Sequence, residues 1–334
     1  MKRFGAVVMT LMLVLSACSF SKKDPAVAVQ EGFVKMLENH EASTAATVSG
    51  TVAGPAGEVP SKMNFSMNLT GSSDSTDLAK TKFDQTIKIE VAADDLKGGG
   101  TLYLRSDGTD IFAKISDLSV PGEKGVAAVA QLEPLMNKWW KIPADVSSQL
   151  KQTEEEQKKL TEKLKTLTPF TNVVEDGEED VHGDSSTRYR VDINKDAIKE
   201  FILEAARVGG NVMDTETVSA IEDGLKDVQF SGAVSVNNDG YMNRIKGTIT
   251  IQPTDGTSGS FDFDMTSWNI GDKVEISAPE GAADFNPLMM FSILGALGST
   301  GGLDGTPATT TDDKELTPDT PTIPLTPVTT PVTK

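Results

Sequence analysis

Met63-Asn64-Phe65-Ser66-Met67-Asn68-Leu69-Thr70 decides how this chain is read. Apolar and polar residues alternate strictly, the period of a β-strand with one dry face and one wet face. Working outward, Phe83, Ile87, Ile89 and Val91 alternate with Lys82, Asp84, Lys88 and Glu90. Leu102 and Leu104 face Ile111 and Ala113 across Ser106-Asp107-Gly108, a hairpin with a glycine in its turn. Thr187, Tyr189, Val191 and Ile193 form another alternating set. So do Val228, Phe230, Val234 and Val236, which lead into Asn237-Asn238-Asp239-Gly240, a strong turn signal. Tyr241, Ile245, Ile249 and Ile251 return from it. Phe261, Phe263 and Met265 follow, and Val274 with Ile276 is expected to close the series before Pro279.

Helical spacing appears between these strands. Asp24-Pro25 reads as N-cap and first helical residue of a segment carrying Val29, Phe33, Met36 and Leu37, which should end near His40. Asp145 is expected to cap a segment bearing Val146, Leu150, Leu160, Leu164 and Leu167, stopped by Pro169. Asn194 caps a helix with Ile198, Phe201, Ile202 and Ala205, and Asp214 precedes one with Val218, Ile221 and Leu225. The Glu175 to Asp180 stretch reads as an acidic turn.

Strands with one apolar face form antiparallel sheets that need an apolar cover, and the amphipathic helices supply it. The expected fold class is therefore α+β: a strongly curved antiparallel sheet, an open half-barrel, with helices covering the concave face. The expected organisation is a leader over 1–17, a tether over 18–23, the half-barrel domain over 24–298 and a disordered Thr/Pro-rich tail over 299–334.

The leader reading rests on Lys2 and Arg3 followed by an apolar run from Phe4 to Leu15, too short for a spanning helix. Leu15-Ser16-Ala17-Cys18 then resembles the bacterial lipobox, and Cys18 is the sole cysteine of 334 residues. That resemblance implies cleavage before Cys18, acylation of its thiol by palmitate-type chains, and an extracytoplasmic protein lipid-anchored to the cell membrane, or to the outer membrane where the host has one. No disulfide can form within such a chain, so a hydrophobic core must hold the fold.

Charge narrows the partners. Removing Lys2 and Arg3 from the formal charge of −18 leaves −20, which repels nucleic-acid phosphates. Twelve Met residues suit an adaptable apolar surface. No enzyme is expected. His40 and His182 are the only histidines and match no metal spacing, and neither a nucleophile elbow nor a phosphate loop is present. No cofactor and no metal are expected. The acidic stretch Glu175 to Asp180 could hold calcium, but a solvated turn suits its spacing better.

Three further stretches resemble the LolA/LolB-like half-barrel superfamily, including LppX/LprG-type lipoproteins. They are Lys138-Trp139-Trp140-Lys141-Ile142-Pro143, Arg188-Tyr189-Arg190-Val191-Asp192-Ile193, and Val274-Glu275-Ile276-Ser277-Ala278-Pro279. The resemblance spans roughly Asp24 to Asp284 and implies an apolar cavity between sheet and helices. No residue essential for lipoprotein exchange maps onto this chain.

The leading expectation is a membrane-anchored, monomeric lipoprotein that binds an apolar ligand such as a lipid. Met63, Phe65, Met67, Phe83, Ile87, Phe261, Phe263 and Met265 would line the wall. Phe201, Ile202 and the apolar stretch from Leu288 through Phe291 to Leu297 would cover it, the last either as a packed plug or as a lid touching lipid. The alternative is a non-catalytic envelope structural or interaction protein with a filled core. Trp139 and Trp140, being adjacent, should face opposite sides of the sheet.

Overall fold

The computed structural model describes residues 23–54, 62–93, 96–143, 154–208, 213–252 and 258–285. The expected leader, tether and tail, and the stretch containing Leu288 and Phe291, lie outside the described residues, as do Asp145, Val146 and Leu150.

The strands are β1 (Glu41–Ala53), β2 (Lys62–Asp74), β3 (Lys82–Ala93), β4 (Leu96–Asp107), β5 (Ile111–Ser119), β6 (Trp140–Lys141), β7 (Phe170–Val181), β8 (Asp184–Ile193), β9 (Val228–Asn237), β10 (Met242–Ile251), β11 (Ser258–Trp268) and β12 (Ala283–Asp284). They form one sheet in the order β12-β6-β5-β4-β3-β2-β1-β11-β10-β9-β8-β7. Every neighbouring pair is antiparallel except β12 with β6. The sheet does not close on itself, so β7 and β12 are its two edges. This is the expected open half-barrel of the α+β class.

Among the described residues five α-helices accompany it: α1 (Pro25–Glu38), α2 (Gly122–Leu132), α3 (Glu154–Thr166), α4 (Lys195–Val208) and α5 (Thr215–Lys226). Local chemistry sets their starts. Asp24 Oδ1 accepts from the Ala26 amide at 2.9 Å with Pro25 in the first turn, Asn194 Oδ1 accepts from Ala197 at 3.2 Å, and Asp214 Oδ1 accepts from Thr217 at 2.8 Å. Each satisfies an amide that the helix itself leaves unpaired.

α1 lies against β7, β9 and β10, and the core forms beneath it from Val29, Phe33, Tyr189, Val191, Val234, Val236 and Met242. α3 packs on α1 and α4, with Lys163 paired to Glu200 and Lys165 to Glu38. The upper end of the sheet carries the turn at Asn237 to Tyr241, closed by Gly240 N–H donating to Asn237 O at 2.9 Å, and the turn at Asp107 to Asp110. The lower end carries Ala53, Lys62, Ala93, Leu96, Ser119, Ile193 and Val228.

Two local expectations need correction. Glu175 to Asp180 is part of strand β7, not a turn. Two register irregularities and Gly177 at φ +99° absorb the misfit, while Arg188 pairs with Asp176 and Arg244 and Lys246 with Glu179. Val274 and Ile276 form no strand; β12 comes later, at Ala283–Asp284, where it pairs with β6. The first helix ends at Glu38, close to His40 as expected, and β1 begins at Glu41, a strand the alternation of large side chains did not reveal.

Candidate functional site: an apolar wall and the cavity beneath the helices

The sheet register brings the alternating apolar residues together. Met67 of β2 pairs with Ile89 of β3 on one side and Val48 of β1 on the other, and Val48 pairs with Phe263 of β11. One row higher, Ile87, Leu69, Ala46, Met265 and Ile245 stand side by side. One row lower, Val91, Phe65, Gly50, Phe261 and Ile249 do so. Because side chains alternate between faces, all of these lie on one face, which becomes a continuous apolar wall from β3 to β10. Met63 and Phe83 sit on the same face of β2 and β3 by register parity.

Aromatic rings fit this wall because glycines lie between them. Phe65 and Phe261 approach to 5.6 Å between centroids across β1, where Gly50 lies. A Cβ on Gly50 would sit 2.8 Å from Phe261 and 3.0 Å from Phe65, so the residue must be bare. Phe230 lies over Gly232 in the same manner and stacks on Phe263 at 6.0 Å.

Over β9 to β11 the helices close the wall into a cavity of about 270 Å³. Phe33 of α1, Leu164 of α3, and Ala197, Ile198 and Phe201 of α4 form its roof; Phe230, Ile245, Ile249 and Phe263 form its floor, with Leu167, Pro169, Phe170 and Ile193 at the side. Every lining residue is apolar. Such a space does not hold water, because water there would find no hydrogen-bond partner.

Of the expected site residues, Phe201 and Phe263 line this cavity directly. Phe65, Met67, Phe83, Ile87, Phe261 and Met265 are half-buried on the wall, and Met63 is exposed at its lower rim. Ile202 is half-buried on α4 but is not among the cavity residues. Sequence reading missed Phe33, Leu164, Phe170, Ile245 and Ile249 as cavity residues. Their helical or strand spacing was visible; which faces would meet was not.

Beyond β1 the described residues leave the lower part of the wall uncovered, while Ile111 at the upper end of β5 is buried. Ile89 is 43 % exposed and Leu96 54 %, values normal for lysine rather than for leucine or isoleucine on a sheet. A second, open groove of about 550 Å³ lies along β2 to β5 on the other face of the sheet, where the polar side chains of Asn64, Ser66, Lys88, Glu90, Thr101 and Asp117 gather.

The opposite face is polar. The tip of the β7–β8 hairpin folds back over it: His182 stacks on Trp268 of β11 with centroids 4.0 Å apart, and its Nε2 lies 3.1 Å from Thr266 Oγ1. Beneath the hairpin Glu179 accepts from Ser235, Arg244 and Lys246, while Arg244 makes a two-pronged pair with Asp264. Hydrogen bonding to Asp264 raises the Arg244 pKa further above its already high ordinary value. Trp139 and Trp140 do separate: Trp139 stands by Tyr103 of β4, with Lys114 5.1 Å from its ring centre, while Trp140 packs edge-on to Phe285 and donates to Leu135 O. Among the described residues no group of His, Cys, Asp and Glu could hold a metal ion, and no helix is long and apolar enough to cross a membrane.

No family model matches this chain, and no curated protein does. Solved structures that it resembles include lipoprotein LppX of Mycobacterium tuberculosis, at 12 % identity over 77 % of this chain and 100 % of that one, with a TM-score of 0.31. LprF of Mycobacterium bovis matches at 9 % identity over 77 % of this chain and 97 % of that one, with a TM-score of 0.38. A LolA superfamily protein of Nitrosomonas europaea matches at 9 % identity over 75 % and 97 %, with a TM-score of 0.20.

Proposed function

We infer that this protein is a membrane-anchored carrier or binder of an apolar ligand, an acyl lipid above all, tethered through Cys18 on the extracytoplasmic side of a cell membrane. One observation carries the reading. The roofed cavity shares its wall, through Phe263, Val48 and Met67, with an apolar surface that continues uncovered to Ile89. A folded protein gains nothing from leaving such a surface wet, and an acyl chain would remove it from water.

The energetics suffice. Burying about ten methylenes at ~0.8 kcal/mol each contributes about 8 kcal/mol, enough for micromolar binding before ordering costs. The roofed part alone, at about 270 Å³, is at the small end for a ligand pocket. The open wall is where the rest of a long chain would lie, with Leu288, Phe291 and their neighbours as its cover. The small roofed volume also favours the second reading, an envelope interaction protein with a filled core.

Organic extraction of the purified Cys18→Ser chain, followed by mass spectrometry, tests the reading. Stoichiometric lipid is the expected result, lost in a Phe201→Trp variant that fills the roofed cavity. A lipid-free protein that also takes up no fatty-acid probe would sink it in favour of the filled-core reading.

A further inference from the structure

Nine large apolar side chains among the described residues are more than a third exposed, and their distribution is one-sided. Val27, Met63, Val91, Leu96, Val120 and Val126 all stand at or beside the lower end of the sheet. The other three lie within strands, and none lies at the upper end. The upper end instead is charged: Glu41, Asp74, Asp77, Asp107, Asp110 and Asp239 outnumber Lys35, Lys80, Lys82 and Lys141, of which the last three pair with Asp77, Asp74 and Asp110.

The chain's point of departure lies at the lower end too. Gln30 of α1 donates to Leu167 O at 2.9 Å, beside Thr168, whose carbonyl accepts from Asn194 just after β8 leaves the sheet. At its other end α1 meets the upper turn, where Lys35 donates to Asp239 O at 2.7 Å. The helix therefore points its N-terminus past the lower end. Lys23 lies five positions after Cys18, so an anchored chain holds this end within about 20 Å of the bilayer.

We propose that the lower end is a membrane-docking surface, on which Met63, Val91, Leu96 and Val126 enter the headgroup boundary of a lipid bilayer and turn the open half of the wall toward it. This rests on the tethered, lipid-binding reading given above and adds the orientation. The short tether removes most of the entropic cost of the second contact, so even a modest apolar rim is driven onto the surface. Carboxylates at the far end keep that end away from anionic headgroups. A lipid could then slide from the leaflet along the wall toward Phe263 without crossing water.

The test uses the full acylated chain in phosphatidylcholine vesicles whose acyl chains carry bromine as a quencher. An environment-sensitive fluorophore is placed through Leu96→Cys or Val126→Cys, and, as upper-end controls, through Lys80→Cys or Asp239→Cys. The lower labels should shift to the blue and be quenched several-fold more than the upper ones. Equal quenching at both ends overturns the proposal. So does a label at 96 that is already shielded in the lipid-free chain and unchanged on vesicles, since residues 286–297 or a second copy would then cover it. Flotation of wild type against Cys18→Ala separates the underlying reading: loss of flotation without Cys18 supports the anchor, whereas identical flotation overturns the anchor and leaves the labels to report docking alone. Leu96→Asp combined with Val126→Asp should reduce the blue shift of a label at Met63→Cys to the upper-end value, and no change would count against docking.

Discussion

The two halves of the sheet solve the same problem in opposite ways. From β7 to β11 the apolar face is roofed by α1, α3 and α4, and Val234 and Met242 are fully buried beneath them. From β2 to β5 the same rows of residues continue, yet Ile89, Val91 and Leu96 remain open. Hydropathy alone does not separate these regions, since both alternate equally well. What separates them is where the helices pack: α2 follows β5 directly and lies against that strand, leaving the lower parts of β3 and β4 open. α1 precedes β1 and packs on β7, β9 and β10, and α3 and α4, which flank the β7–β8 hairpin, join it there, whereas β2 to β4 have only strands between them and α2 reaches β5 alone. The comparison teaches that one half of the wall stabilises the fold while the other is left available.

This contrast can be broken most severely in the roofed half. Met242→Ala removes a fully buried side chain from the core under α1 and should cost about 2–5 kcal/mol, read as a fall in the urea midpoint. Glu179→Ala, on the polar face behind the same half, strips Arg244, Lys246 and Ser235 of a shared acceptor and should cost about 1–3 kcal/mol. Glu179→Gln should recover part of that, because it can still accept from Ser235.

Acid sharpens the comparison more gently. The Thr76 hydroxyl holds the Asp74 carboxyl below its ordinary range, and the Thr217 amide does the same for Asp214. A depressed folded pKa contributes stability that is present above the unfolded value of about 3.9 and lost as pH falls through the folded one. Thermal melts should therefore soften below about pH 4, with Asp214→Asn less sensitive than wild type. The smallest effect belongs to the open half. Ile89→Asn should change stability by only about 0.5 kcal/mol, while lowering the amount of lipid that co-purifies.

Much of this was legible in the residues. The helix caps at Asp24, Asn194 and Asp214, the Asn237 to Gly240 turn and the wall residues of β2, β3 and β11 follow from spacing and side-chain chemistry. β1 was hidden because its inward positions are Ala46, Val48, Gly50 and Val52, too small to signal burial on their own. Their size is explained only by Phe65 and Phe261 on the flanking strands, a fact of register. β7 was hidden because its carboxylates find their partners on other strands, Arg188 on β8 and Arg244 and Lys246 on β10, so they looked solvated. For the site, the wall could be read but its roof could not: Phe33 and Phe170 meet edge-on at 6.3 Å although far apart in the chain.

An open half-barrel has two frayed margins, and each invites another polypeptide to add itself by backbone pairing. The acidic residues and irregular register of β7 make that margin a poor template, and β12, with two residues, offers almost no length to pair with. The same carboxylates that disguised β7 thus help a sheet with a greasy face avoid polymerising along its edges.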